Sequence, residues 1–464
     1  MKQNIKQILR EGLILEQRIK FDLPIPSDIQ QIKDVFKQNG FKLYVVGGAV
    51  RDALLGKTPK DYDLATDAVP DKVEEIMTKA NFKTLPTGKA FGVINVFTSE
   101  GEYEIATFRE DQYNAPKKLE MAINIDNLSM LDFLSYLKIN NLVTDEFSDW
   151  YDNYFLKWEE GEFEEYDNWT DLAKDKIPVI FDGFIKNKTQ NNGGRRPDAV
   201  SFTDIEGDVK RRDLTINALF YDIDTHEIVD LVGGVEDLKN GIVRTVGTPE
   251  DRFGEDRLRI LRAIRFAGRF GNQLDPLTDA ALQKDASLEG ISGERIRDEF
   301  IKGIQSAKSQ KSFFQMLDKY KLFDWIFKGL DVNREAFSNG DDYILLLARL
   351  LKNNNLDVLR KKLNELKYSA EEVKAIAFLI AMLKLDVDTA VTLKKAEQHA
   401  GVSPDQIKKF GKLEGVDPKL LDAFEKFRLT VSGPEVMDKM GLKPGPEVGK
   451  AIHKLETDNF KKLL

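Results

Sequence analysis

The 464-residue sequence contains no cysteine and only three histidines, and each shortage excludes a kind of chemistry. Without cysteine the chain can form no disulfide, no thiolate zinc site and no cysteine nucleophile. The histidines, His226, His399 and His453, are too widely spaced in the sequence to indicate a cluster. We therefore expect any catalysis to depend on carboxylates and a bound metal ion.

Long apolar runs are also lacking. No stretch approaches the roughly 20 consecutive apolar residues of a transmembrane helix, and 32% of the residues are charged. The N-terminus is basic and amphipathic, but Glu11, Glu16 and the lack of a small-residue cleavage site argue against a targeting peptide. We interpret it as a short helix packed on the first domain of a soluble, cytoplasmic protein that does not bind membranes.

Basic residues are fewer than acidic ones: the sequence contains 69 Lys and Arg residues and 78 Asp and Glu residues, which gives a net charge of −9. A nucleic-acid partner would therefore be held by a local basic surface rather than by the field of the whole protein. The length and the 42% hydrophobic content predict a globular protein of about two to four domains.

The most informative stretch is FKLYVVGGAVRDALLGKTPKDYDLAT, residues 41–66. An apolar strand, a break at Gly47 and Gly48, and a helical pattern that stops at Gly56 predict a strand that turns sharply into a helix. Backbone N–H groups at such a turn can approach a ligand closely, and Arg51 adds positive charge beside the helix N-terminus. The pattern indicates a triphosphate cradle, although a double glycine by itself is more often an ordinary tight turn.

Asp61 and Asp63 follow on what we predict to be a short second strand. Residues two apart on a strand point to the same face, about 6–7 Å apart along the backbone, so both carboxylates would aim at one place. Such converging oxygens suit Mg²⁺, which takes its other ligands from phosphates and water. An isolated pair of this kind is more often a solvated turn, but the glycines and Arg51 favour a metal site. Glu104, on a later strand, would be either a third carboxylate or a surface residue.

A second charged group lies in DVKRRDLTINALFYD, residues 208–222. Arg211 and Arg212 offer guanidinium forks suited to phosphate, and Asp213 can accept a hydrogen bond from a ribose hydroxyl. Asn217 lies four residues after Asp213 and would share its helical face. Read alone, such a sequence is commonly a charged helix start.

A third group lies in RFGEDRLRILRAIRFAGRF, residues 252–270, which we predict to be one amphipathic helix. Asp256, Arg259, Arg262 and Arg265 are spaced by three and would lie along one drifting face, with apolar residues on the remainder. Taken alone, this spacing is also that of a solvated basic stripe.

Together, GGAVRD with KDYDLAT, RRDLTINAL and EDRLR resemble the motifs of a known family. It is the nucleotidyltransferase branch that contains bacterial and eukaryotic CCA-adding tRNA nucleotidyltransferases and bacterial poly(A) polymerases. The resemblance covers most of residues 41–300. It implies an α+β or α/β catalytic head, with a small mixed sheet and helices, followed by an all-α neck, body and tail. The corresponding divisions are N-terminal helices packed on the head (1–40), the head (41–232), a neck for base recognition (233–302) and a body and tail for tRNA binding (303–464).

The resemblance implies template-independent addition of CCA to the 3′ end of tRNA from CTP and ATP. Asp61 and Asp63 would be catalytic and hold two Mg²⁺ ions. A polymerase without a nucleic-acid template must read the incoming base with protein, so Asp256 would accept from the amino group of C or A and Arg259 would donate to a neighbouring ring atom. The remaining implied nucleotide-binding residues are Gly47, Gly48, Arg51, Arg212, Asp213, Asn217, Arg262 and Arg265.

One segment departs from the family pattern, because residues 114–194 separate FREDQY from the RRP that normally follows it closely. The insertion spans about residues 115–193. Its centre, at roughly 145–175, is strongly acidic and aromatic, so we expect no direct tRNA binding there. It would be a peripheral or protein-contact module with an unknown partner, or it would alter the loop that in the family helps the switch from C to A addition.

The sequence therefore leaves several reactions possible: complete CCA addition, CC-only or A-only addition, and poly(A) synthesis. GKAFGVINV, residues 88–96, is more similar to the CCA branch than to the poly(A) branch. The alternative from a different class is a non-catalytic RNA-binding protein, and the retention of both aspartates, RRD and EDxxR argues against it.

Overall fold

The computed structural model describes residues 17–112, 172, 175–176, 199–271 and 273–464. The predicted insertion lies outside these residues except at positions 172, 175 and 176, and so does most of the predicted N-terminal helix. The chain forms two units. The first comprises Met1–Ala263, Gln273–Asp285 and Glu289–Ile291, and the second comprises Ile264–Asn272, Ala286–Leu288 and Ser292–Leu464. The finer division at residues 40, 232 and 302 stays a prediction.

The first unit is built on strands. They are β1 Gln17–Lys20, β2 Leu43–Val46, β3 Asp63–Thr66, β4 Lys83–Leu85, β5 Val93–Phe97, β6 Glu102–Thr107, β7 Arg109–Gln112, β8 Ala199–Phe202, β9 Leu219–Asp222, β10 Glu227–Asp230, β11 Ile242–Val243 and β12 Gln273–Leu274. Eight of them form a mixed sheet in the order β1, β10, β9, β2, β3, β6, β5, β4, in which only β3 and β6 run parallel. β7 with β8, and β11 with β12, form two small additional sheets.

Helices accompany these strands. They are α1 Ser27–Gln38, α2 Gly48–Leu54, α3 Pro70–Lys79, α4 Ile205–Lys210, α5 Gly234–Lys239, α6 Pro249–Glu255, α7 Leu258–Phe270 and α8 Pro276–Lys284. The boundary between the two units falls within α7, between Ala263 and Ile264.

The two faces of the large sheet bury different side chains because successive strand residues point to opposite sides. Val45, Leu64 and Ile105 face a larger core that also contains the apolar sides of α1 and α3. Their strand neighbours Tyr44 and Ala65 face a smaller core that also includes residues of β9 and α4. Asp63 precedes Leu64 by one residue, so its side chain lies on the side of the smaller core.

The N-terminal residues differ from the prediction. Gln17–Lys20 is a strand, not the end of a helix, and it pairs antiparallel with β10. The strand that supplies its hydrogen bonds, β10, is more than 200 residues away in the sequence. A local sequence pattern therefore does not predict this pairing. α1 begins at Ser27, whose hydroxyl donates to Glu100 Oε1 at 2.9 Å and does not cap the helix.

The described part of the second unit is helical. Besides the end of α7, it contains α9 Gly293–Ser306, α10 Gln310–Lys319, α11 Phe323–Ile326, α12 Tyr343–Leu350, α13 Leu356–Glu365, α14 Ala370–Ala381, α15 Ala390–Glu397, α16 Pro404–Leu413, α17 Pro418–Lys426, α18 Gly433–Met440 and α19 Pro446–Lys461. Side-chain capping boxes at Ser369, Ser403 and Ser432 start three of them. Ser292 precedes α9 but makes no side-chain cap hydrogen bond. A mixed-sheet head followed by a helical region confirms the predicted fold class.

Within the described ranges, no helix combines the length and the apolarity that a membrane span requires.

Candidate active site of the first unit

The glycine turn and one of the two aspartates meet at the same edge of the large sheet. Val46, the last residue of β2, pairs with Asp63 on one side and with Phe220 on the other. Gly47 follows with a φ of 66°, a value that favours glycine. Its amide donates to the Leu219 carbonyl at 3.0 Å. The predicted cradle is therefore limited to the amides that open α2, from Gly48 onward, which lack helical acceptors.

Asp61 and Asp63 are both exposed, but only Asp63 lies on a strand. Among the described residues, neither carboxylate makes a hydrogen bond or an ion pair with another side chain. The pKa of Asp63 is raised above its ordinary value, chiefly because the surrounding protein removes part of its hydration. Arg212 opposes this rise and the negative charge of Asp61 adds to it. The carboxylates of Asp61 and Asp63 are therefore close enough for electrostatic repulsion between them to affect the pKa of Asp63.

These carboxylates fit a divalent cation. Two neighbouring negative charges that form no ion pair with a protein cation are unfavourable, and Mg²⁺ is commonly held by one or two carboxylates together with phosphate and water. Glu104, on β6 next to β3, does not complete a three-ligand site, because no three His, Cys, Asp or Glu side chains of the described residues converge on one metal position.

A buried aspartate, which the sequence analysis did not identify as a site residue, holds the two arginines of the RRD segment. Asp208 is 1% exposed. Its Oδ1 accepts from Arg211 Nε at 2.8 Å, and its Oδ2 accepts from Arg212 Nη2 at 2.9 Å. Burial alone would raise the pKa of Asp208, but Arg212 and Arg211 hold it below its ordinary value. The available signal was its spacing of three and four residues before the arginines on one helix.

Arg212 lies beside the glycine turn. Its guanidinium stacks on the Phe220 ring at 4.6 Å, and its Nη1 donates to the Asn217 carbonyl at 3.3 Å. A Cβ atom placed on Gly47 would lie 3.7 Å from the same Nη1. The first two motifs, which are far apart in sequence, are therefore adjacent in the fold.

Arg51 is only 5% exposed. Its Nε donates to Asp52 Oδ1 at 2.9 Å, and its Nη1 donates to the side-chain oxygen of Asn217. The structure thus places Arg51 as a buried side chain engaged by protein partners, whereas the sequence suggested an accessible charge beside the helix N-terminus.

Asn217 links Arg51 to the acidic residue of the RRD segment. Its Nδ2 donates to Asp213 Oδ1 at 3.2 Å. The sequence predicted that the two residues would be close, but the predicted reason, a shared helical face, is wrong. α4 ends at Lys210, and Asn217 lies on a separate 3₁₀ turn, Thr215–Asn217.

Asp213 is held ionised. Arg262 Nε donates to Asp213 Oδ2 at 2.6 Å. Burial by itself would raise the pKa of Asp213, but Arg262, together with the hydrogen bonds from Asn217 and the Leu214 amide, lowers this pKa to about 2. Asp213 is therefore a hydrogen-bond acceptor at neutral pH.

The predicted single helix over residues 252–270 is two helices, α6 and α7. Asp256 lies in the break with φ −143° and ψ 105°, and its Oδ1 accepts from the Leu258 amide at 3.0 Å. A short acidic side chain can bind a nearby backbone amide in this way, which favours a helix start over a helix interior. Asp256 therefore does not share a helical face with Arg259.

Arg259 is 8% exposed and partly committed to protein acceptors. Its Nη1 donates to Glu255 Oε2 at 2.6 Å and to the Arg252 carbonyl at 3.2 Å, and its Nη2 donates to the Arg211 carbonyl at 2.8 Å. A guanidinium carries five N–H groups. The Nε–H and one Nη2–H of Arg259 have no acceptor within the described part of the chain.

Arg265 belongs to the second unit. There its Nε donates to Glu299 Oε2 of α9 at 2.6 Å, and its guanidinium lies 4.2 Å from the centre of the Phe266 ring. The role of Arg265 in nucleotide binding stays a prediction.

The chain is similar to characterised proteins over nearly its whole length. Residues 43–132 and 141–244 match the family described as Poly A polymerase head domain, and residues 272–333 match the family described as Probable RNA and SrmB-binding site of polymerase A. A CCA-adding enzyme of Ligilactobacillus salivarius is 27% identical over 458 residues, which cover 94% of this chain and 93% of the relative.

Two solved structures share the fold. The Bacillus stearothermophilus CCA-adding enzyme in complex with CTP superposes with a TM-score of 0.61 at 24% identity and covers 94% of each chain. The Thermotoga maritima CCA-adding enzyme complexed with tRNA superposes with a TM-score of 0.58 at 19% identity and covers 96% of this chain and 95% of that one. The two matched family regions together span more than half of the chain, and with the near full-length relative they show that the chain belongs to the family of CCA-adding enzymes and poly(A) polymerases, which are nucleotidyltransferases.

Proposed function

We propose that this protein adds CCA to the 3′ end of tRNA, using CTP and ATP and no nucleic-acid template. The observation that carries the proposal is the position of Asp61 and Asp63 near Arg212 and the Gly47 turn at one sheet edge, where neither carboxylate forms an ion pair with a described residue. Relatives along nearly the whole chain are CCA-adding enzymes, and solved relatives bind CTP and tRNA, which supports the same substrates here.

Asp61 and Asp63 would hold two Mg²⁺ ions. When bound, such ions lower the pKa of the attacking hydroxyl and neutralise the leaving pyrophosphate. The part played by the chain itself is to present two carboxylates that form no ion pair with the described residues. Since the pKa of Asp63 is raised, its metal-binding form is populated at a somewhat higher pH than for an ordinary aspartate.

In the proposed reaction the 3′ oxygen of the tRNA attacks the α-phosphorus of the nucleotide. A new P–O bond forms, the bond to the β-phosphate oxygen breaks, pyrophosphate leaves and the hydroxyl proton passes to solvent. The α2 amides beginning at Gly48, together with Arg212, would bind the phosphates. Asp213, kept ionised by Arg262 and oriented by Asn217, would accept a hydrogen bond from the ribose.

Asp256 and Arg259 would read the base. The two uncommitted N–H groups of Arg259 can donate to a ring nitrogen and a carbonyl of cytosine, while the Asp256 carboxylate accepts from the exocyclic amino group of C or A. Uracil and guanine present an acceptor at that edge, so the carboxylate would repel them. Arg51 would act through Asn217, because its guanidinium is bonded to protein groups that include Asp52 and Asn217.

The test is an extension assay with purified protein, Mg²⁺ and a tRNA that ends at the discriminator base, supplied with CTP, ATP or both. Two additions with CTP and a third only in the presence of ATP would establish the proposed activity. A product that stops at CC would indicate a partial enzyme, and a long A ladder would indicate a poly(A) polymerase, which the family of the matched head domain also contains. No extension would indicate a non-catalytic RNA-binding protein.

A further inference from the structure

Tyr62 lies between the two aspartates, and its side chain turns away from them. Alternate residues of an extended segment point to opposite sides, so a tyrosine between Asp61 and Asp63 projects to the other side of the sheet. Its ring packs, partly buried, against the larger core, whereas Asp63 lies on the side of the smaller core. Tyr62 is thus outside the ligand side of the site but covalently attached to both proposed metal ligands.

The Tyr62 hydroxyl is tied to the N-terminal segment. It donates to the Pro24 carbonyl at 2.7 Å. This contact joins the aspartate-bearing segment to a part of the chain that is 38 residues earlier.

Pro24 is a firm anchor because the residues before it are fixed in the sheet and the core. β1 pairs with β10 over four residues. The Phe21 amide then donates to the His226 carbonyl at 3.1 Å, and Leu23 is 3% exposed within the larger core. The acceptor of the Tyr62 hydroxyl is therefore held by pairing on one side and by burial on the other.

The segment that carries Asp61 has few other restraints. β3 begins at Asp63, so Asp61 and Tyr62 lie before the strand ladder. Among the described residues, the only hydrogen bond made by any member of the stretch 58–62 is that from Tyr62 to Pro24. Apart from the burial of Pro59, the contacts of the Tyr62 ring and hydroxyl therefore hold Asp61 in place.

We propose that Tyr62 is a positioning residue for the Asp61 and Asp63 carboxylates, and that its hydrogen bond to Pro24 sets the divalent-cation affinity of the head. The inference rests on the proposed metal-binding role of these aspartates. Removal of the hydroxyl leaves both ligands present but lets the Asp61 end of the pair move, so more binding energy is needed to bring the carboxylates together.

The test compares Tyr62→Phe with Tyr103→Phe in the full-length protein. Tyr103 is a matched control because its ring packs against the same core, while the residue itself lies on β6, outside the segment that carries the two aspartates. Mn²⁺ binding is titrated by following the electron paramagnetic resonance signal of the free ion, without nucleotide or tRNA. We expect Y62F to weaken Mn²⁺ binding by about 3- to 10-fold, the loss that corresponds to one net hydrogen bond, and Y103F to bind as the wild type.

A second readout separates positioning from general damage. Y62F should need a correspondingly higher Mg²⁺ concentration for half-maximal CCA addition, yet reach the wild-type rate when Mg²⁺ saturates, with unchanged tRNA affinity. Equal Mn²⁺ affinity in Y62F and wild type would overturn the inference, and so would an equal loss in Y103F. If wild-type protein shows no Mn²⁺ site that Asp61→Asn removes, the metal assignment itself fails and the role of Tyr62 falls with it.

Discussion

Arg262 donates to Asp213 Oδ2 at 2.6 Å, while Asn217 donates to the other oxygen of the same carboxylate at 3.2 Å. The acid proposed to bind the ribose is thus oriented from both sides, by a residue of α7 and by a residue that also binds Arg51. This arrangement connects three sequence motifs of the first unit through one carboxylate.

The Arg262–Asp213 pair makes stability depend on pH. The pKa of Asp213 in the folded state, about 2, lies below the value of about 3.9 expected in the unfolded chain. The stabilisation is therefore present above about pH 4 and is lost as pH falls towards 2. Arg262→Gln should lower stability at pH 7 by about 1–2 kcal/mol, a modest figure because Arg262 is 33% exposed. Urea unfolding of wild type and variant from pH 7 down to pH 3 should show the difference shrinking below pH 4. A constant difference would contradict the assignment.

Asp208 should be required for both stability and nucleotide affinity. Asp208→Asn leaves two arginines without their buried counter-ion, and breaking a buried pair costs about 3–5 kcal/mol. Misplacement of Arg212 should raise the KM for CTP more than it lowers kcat. Glu206→Gln, an exposed acid on the same helix, is the matched control and should leave both quantities unchanged. Wild-type urea midpoint and KM in D208N would show that the arginines are held by other groups.

Asp61→Ala should abolish nucleotide addition while tRNA binding is retained. The loss of a metal ligand removes several kcal/mol of transition-state stabilisation, which corresponds to about 10³-fold or more in rate. Single-turnover extension and filter binding measure the two quantities separately. Asp67→Asn is a suitable control because Asp67 accepts from the Lys42 amide and lies outside the aspartate pair. Strong residual turnover in D61A would contradict the proposal that Asp61 is a metal ligand.

Arg259 should determine base selectivity. Arg259→Ala should relax or destroy the discrimination of C and A from U and G, but it also removes the bonds to Glu255 and to the Arg211 carbonyl, so part of its effect is structural. Arg259→Lys keeps the charge, loses the fork and should reduce the ratio of kcat/KM for CTP over UTP by about 5- to 150-fold, equivalent to about 1–3 kcal/mol. Arg257→Lys, next to it but paired with Asp285, should leave the ratio unchanged. Unchanged selectivity in R259K and R259A would mean that the base is read elsewhere.

Several local features followed from the sequence alone. The strand that ends at Val46, the turn at Gly47 and the helix after it were predicted from hydrophobic pattern and glycine placement. The closeness of Asn217 to Asp213 was also predicted, although it arises from a 3₁₀ turn rather than from an α-helix. The helix break at Asp256 was missed, since the apolar spacing continues through it and only the side-chain bond to the Leu258 amide marks it.

The sequence by itself determined the family, the order of the motifs and the kinds of chemical group available, because these depend on residue type and spacing along the chain. Only the tertiary structure decided which partner each charged group takes. Arg51 binds Asn217, 166 residues away, and Arg262 binds Asp213, 49 residues away. Spacing predicts neighbours within one helix or strand, whereas burial and strand pairing bring distant segments together. These long-range contacts determine whether an arginine faces solvent or is engaged by the protein.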